Sequence, residues 1–143
     1  MSISASIEIY LSESMSAMTI LHQLETYGWT YNDHGGVTFL PVGDHDDYHW
    51  QHSDVPKNDL EEIIRAKESQ GEVIGVAMTW KDTNIGGTLL ICEKGTFLMS
   101  LDINRKLIEA GGGWSTTDVN WYITRLIPAF GSLVESVSYQ EHV

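Results

Sequence analysis

The segment Glu72–Arg105, EVIGVAMTWKDTNIGGTLLICEKGTFLMSLDINR, decides the fold. Ile74, Val76, Met78 and Trp80 alternate with Val73, Gly75, Ala77 and Thr79, the period of two that a strand imposes on its side chains. Lys81–Asn84 is a polar break, and Gly86-Gly87 then leads into the aliphatic and β-branched run Thr88–Cys92. Glu93-Lys94-Gly95 is a turn. Beyond it Phe97, Met99, Leu101 and Ile103 alternate with Leu98, Ser100, Asp102 and Asn104. Connections this short join antiparallel neighbours, because a parallel crossover needs about a dozen residues or more. Three consecutive antiparallel strands are therefore expected, with one face wetter than the other.

Around this meander the chain reads as strands and isolated helices. Ile3, Ala5, Ile7, Ile9 and Leu11 alternate with polar residues and predict a half-buried strand. Met15, Met18, Leu21 and Leu24 have helical spacing, with Ser12 or Ser14 as the expected cap and Gly28 as the stop. Trp29–Tyr31 and Val37–Leu40 flank the turn residues Asn32–Gly36 and predict a hairpin. Leu60, Ile63, Ile64 and Lys67 follow i, i+3, i+4, i+7 and predict one buried stripe, with Ser53 or Asp54 as cap and Pro56 in the first turn. Lys106–Ala110 reads as a short helical turn and Gly111–Gly113 as a flexible break. Val119, Ile123, Leu126, Ile127 and Phe130 share a helical face, capped by Thr116 or Thr117 and interrupted by Pro128. A final strand, expected at an edge, runs from Val134 to Glu141. The fold class is α+β, a largely antiparallel sheet with a central three-stranded meander and helices packed on one face. Residues 1–143 form a single domain, long enough to bury about two-thirds of its unfolded surface.

Charge separates the classes of function. The formal net charge is −12, and residues 1–56 hold eight acids and no Lys or Arg. Such a chain repels nucleic acid and anionic bilayers and attracts a basic protein. No apolar run approaches the roughly 20 residues of a membrane span. The single cysteine, Cys92, reads as a buried apolar side chain in a strand, and with no disulfide available the expected location is cytoplasmic.

Gly43–Val55, GDHDDYHWQHSDV, is too polar for a core and reads as an exposed loop. Its acids and those of the following DLEEII segment, with the loop's aromatics, form the candidate partner-binding set: Asp44, Asp46, Asp47, Tyr48, Trp50, Asp54, Asp59, Glu61 and Glu62. His45, His49 and His52, spaced by four and three, form an alternative set for zinc or another transition metal. Gly111–Gly113 resembles an anion-binding loop but lacks the following Lys of a phosphate motif. No nucleophile signature is present, and no cofactor is expected. Trp114, Trp121 and Tyr122 make their segment aromatic-rich, with an exposed Trp121 as a candidate partner anchor, and Asn84–Gly87 with Asn104–Lys106 end successive meander strands and are expected to meet on one rim.

In size, acidity, compartment and the loop GDHDDYHWQHSDV followed by DLEEII, the chain resembles the small acidic immunity proteins of bacterial toxin systems. The resemblance implies a non-enzymatic domain that neutralises a basic partner by charge complementarity. The alternatives are a metal-binding protein or metal-dependent enzyme built on the His/Asp loop, and a small-ligand sensor or structural subunit.

Overall fold

The structure, a computed structural model, describes residues 4–93 and 95–142. Ile3 and Lys94, placed above in a strand and a turn, lie outside the described residues.

The meander forms as read. β5 (Ile74–Trp80), β6 (Gly86–Glu93) and β7 (Thr96–Ile103) pair antiparallel in sequence, with Val76 opposite Leu89 and Leu89 opposite Met99. β1 (Ser4–Leu11) pairs antiparallel with β7 and also with β10 (Val134–His142), which lies at the sheet edge. On the far side, β5 is paired by β2 (Trp29–Thr30) and β3 (Val37–Phe39), and β4 (Gln51–Ser53) completes the other edge. The result is an eight-stranded antiparallel sheet, and the class is α+β.

One face of this sheet is the core. Ile7, Ile9, Val76, Met78, Leu89, Ile91, Phe97 and Met99 are buried there with residues of three helices: α1 (Ala17–Tyr27), α2 (Lys57–Ser69) and α3 (Val119–Leu126). α1 contributes Ala17, Met18, Ile20, Leu21 and Leu24, α2 contributes Leu60 and Ile64, and α3 contributes Tyr122 and Leu126. Burying each such aliphatic side chain is worth roughly 1.5–3 kcal/mol before chain entropy is counted. α1 ends at Gly28, whose φ of 124° suits glycine and whose missing side chain leaves room for the Trp80 ring.

Several local expectations change. The caps are Ser16 for α1 and Asp118 for α3, each accepting from a backbone N–H one turn on, and Pro56 precedes α2 without a side-chain cap. Trp29–Leu40 is no two-stranded hairpin. The turn exists, with Asp33 bridged to Gly36, but both flanks pair with β5. Lys106–Ala110 is not helical: β8 (Leu107–Gly111) and β9 (Trp114–Thr117) form a separate hairpin. Gly111, Gly112 and Gly113 all have positive φ and make its tight turn, so no glycine loop stands at a helix N-terminus. Cys92 is exposed, because Leu89 and Ile91 take the core-facing positions and leave Leu90 and Cys92 to the opposite face.

Candidate functional site

The acidic segment is organised by one buried cation. Lys67, at the end of the apolar stripe of α2, is 1% exposed. Its Nζ donates to the carbonyls of Pro41 (2.7 Å) and Asp44 (2.6 Å) and to Oε1 of Glu72 (3.0 Å). Glu72 also accepts from the backbone N–H of Gly43 at 2.8 Å. That bond and Lys67 hold the Glu72 carboxyl below its ordinary pKa. The 41–44 turn, the end of α2 and the entry to β5 are thus tied at one point.

Asp44 is the second tie. It is buried, and its carboxylate accepts from the N–H groups of Asp47 (3.2 Å), Tyr48 (3.0 Å) and His49 (2.7 Å). Burial pushes its pKa up, but these three bonds outweigh burial and hold it low. This cap keeps Tyr48 at a φ of 56°, a region that costs a side chain with a Cβ on the order of 1 kcal/mol or more. Asp44 therefore shapes the loop and is turned away from any partner.

The remaining candidates divide cleanly. Asp46, Asp47, Asp54, Asp59 and Glu62 are exposed. The ion pairs among the described residues are His22–Glu61, His34–Asp33, Lys57–Glu25, Arg65–Glu61 and Lys67–Glu72, and none engages those five. Glu61 is different, since His22 donates towards it at 3.0 Å and lowers its pKa. Of the two aromatics, Tyr48 is exposed. Trp50 is half-buried and packs with Leu40 over Gly75, where an added Cβ would lie 2.6 Å from the Trp50 ring and 2.7 Å from Leu40.

The three loop histidines do not assemble. His45 Nδ1 accepts from the N–H of Val73, His52 sits on β4 with Nδ1 2.7 Å from the Thr38 hydroxyl, and no metal-sized group among the described residues contains any of the three. The reason is local geometry: helical spacing brings residues four apart together only on a helix, and this stretch is a capped turn followed by a strand.

Gly75 lies opposite Leu90, Leu90 opposite Leu98 and Leu98 opposite Glu8, so Trp50 borders the solvent-facing side of the sheet. A shallow hollow of about 300 Å³ opens there, lined by Glu8, Tyr10, Leu90, Cys92, Glu93, Thr96, Phe97 and Leu98. Part-burial, Glu93 and Glu8 all raise the pKa of the Cys92 thiol, which disfavours the nucleophilic thiolate. The rim anticipated between strand ends also forms, with Asn104 Nδ2 donating to the Asn84 carbonyl at 2.8 Å. Trp121 is committed elsewhere, edge-on to Trp29 and Tyr122 with the Arg125 guanidinium 4.2 Å above it, whereas Trp114 on β9 is 75% exposed.

No protein-family model, curated protein or solved structure matches this chain. Among the described residues no helix is long and apolar enough to cross a membrane.

Proposed function

We propose that this chain is a non-enzymatic cytoplasmic binding domain that captures a basic protein, in the manner of an inhibitor or immunity protein. The observation that carries the reading is the set of five exposed carboxylates, Asp46, Asp47, Asp54, Asp59 and Glu62, none ion-paired to a cation among the described residues, on a segment fixed from beneath by Lys67. Such charges steer a cationic partner and raise the association rate more than they add affinity. Affinity then needs a desolvated anchor, and Tyr48 is the presented aromatic. A stable complex covers about 800 Å² on each partner, more than one loop offers. The footprint therefore extends from the β4 edge along the first turns of α2 or onto the sheet face beyond Trp50.

The test is affinity capture from the source cell, followed by titration of the purified partner at about 0.1 M and 1 M salt, across which the Debye length falls from about 10 to about 3 Å. Association should slow steeply with salt. The variant Asp46→Asn/Asp47→Asn/Asp59→Asn/Glu62→Gln should lose most of that dependence. A partner whose binding ignores both salt and these substitutions refutes the reading.

A further inference from the structure

α1 and α2 pack side by side, and Leu21 and Leu24 of the first share the core with Leu60 and Ile64 of the second. On the solvent side of this seam His22 and Glu25, one turn apart on α1, meet Glu61 of α2. One ligand atom from each of the three lies within 4.8 Å of the other two, the one such group of His, Cys, Asp or Glu found among the described residues. Because both helices are held by buried leucines, the donors are positioned before any ligand arrives.

An imidazole with two carboxylates is a donor set for a first-row divalent ion, and three protein ligands leave a coordination position open to water. Two carboxylates held this close need a positive charge between them. Lys57 supplies part of it, its Nζ 2.8 Å from Glu25, Arg65 stands 4.0 Å from Glu61, and His22 bonds Glu61 at 3.0 Å. The Lys57 and His22 side chains are more than half exposed, so the lysine can swing away into water at little cost. Tyr31 donates to the other oxygen of Glu25 at 3.2 Å and orients that carboxylate, the supporting role that outer groups play at metal sites.

We propose that His22, Glu25 and Glu61 bind a zinc-like divalent cation across the α1–α2 seam. The site shares α2 with Asp59 and Glu62 but uses none of the five exposed carboxylates of the partner-binding reading, so metal titration without a partner tests it separately. It also differs from the histidine set that the sequence spacing suggests.

Untagged protein, stripped with a chelator, is titrated calorimetrically with ZnCl2, with circular dichroism confirming the fold of each variant. The expected result is one Zn2+ per chain, a higher unfolding temperature with metal, and at least about tenfold weaker binding in His22→Ala and in Glu61→Gln. Lys57→Met, which removes the competing cation, should bind more tightly. His45→Ala/His49→Ala/His52→Ala should bind as the parent does. Absence of a one-to-one event in the parent overturns the proposal. So does unchanged affinity in both seam variants, or loss of binding in the triple loop variant.

Discussion

Replacing Lys67 with Met tests the latch on which the acidic loop depends. Met keeps most of the aliphatic stem, so the loss is nearly all polar. Three acceptors lose their donor: the Pro41 and Asp44 carbonyls, at 2.7 and 2.6 Å, and Glu72 at 3.0 Å. A hydrogen bond to a charged group contributes about 1.5–3 kcal/mol, and the three share one ammonium and do not add. Removing one member of a buried ion pair costs about 3–5 kcal/mol, because the other is left uncompensated. We take that range, a large share of a total stability of about 5–15 kcal/mol. At this chain length it corresponds to a fall in Tm of roughly 10–15 °C. Urea unfolding followed by far-ultraviolet circular dichroism gives the energy, and limited proteolysis reports whether residues 41–50 loosen. A double-mutant cycle with Glu72→Gln should return a coupling of about 0.5–3 kcal/mol. A loss below about 1 kcal/mol, with the loop still protected, would refute the claim that Lys67 holds the segment.

Acid should release the same latch. Asp44 and Glu72 have folded pKa values below their ordinary 3.8 and 4.5, so their contribution is complete above the ordinary carboxylate range and is lost as pH falls through the depressed folded values. The urea midpoint should drop steeply below about pH 5, and less steeply in Asp44→Asn/Glu72→Gln. Gly86→Ala should cost about 3 kcal/mol or block folding, since its Cβ would stand 1.9 Å from the Met78 carbonyl oxygen across the sheet; soluble yield and urea midpoint read this out. Tyr48→Gly relieves the left-handed backbone and should change stability by no more than about 1 kcal/mol in either direction, while weakening partner capture by about 2 kcal/mol.

What the sequence reveals about this fold depends on whether the signal is local. The meander was legible because Ile74–Trp80 and Phe97–Asn104 carry period two over whole strands, and short turns leave one pairing open. The edge position of β10 followed from its weak, polar alternation. The β8–β9 hairpin was missed because KLIEA has helix-favouring composition, and only the reversal enforced by three positive-φ glycines makes it a strand. For Trp29–Leu40 the turn was legible and the partner was not, since pairing with β5 is a long-range choice. Cys92 went to the wrong face because TLLIC has no alternation to fix its side. Nothing local separates Asp44 from Asp46 and Asp47. The usable clue was Lys67, a lysine on an apolar stripe, which must find buried acceptors wherever the fold offers them.

The way the chain distributes its cations bears directly on what the acidic segment is for. Residues 1–56 contain no Lys or Arg, so any lysine or arginine countercharge for the loop must come from elsewhere. The fold brings in one, Lys67, yet its carboxylate partner is Glu72, outside the loop, and within the loop it meets only carbonyls. Asp44 is satisfied by backbone N–H groups and needs no cation. The interior thus solves the polar demands of the loop backbone while leaving Asp46 and Asp47, at its surface, without an ion pair among the described residues. A loop selected only for stability would gain by setting a lysine beside those two aspartates, because like charges one residue apart repel. A fixed backbone carrying exposed charge supports the proposed capture of a cationic surface, because it lowers the ordering cost of binding while keeping the attraction.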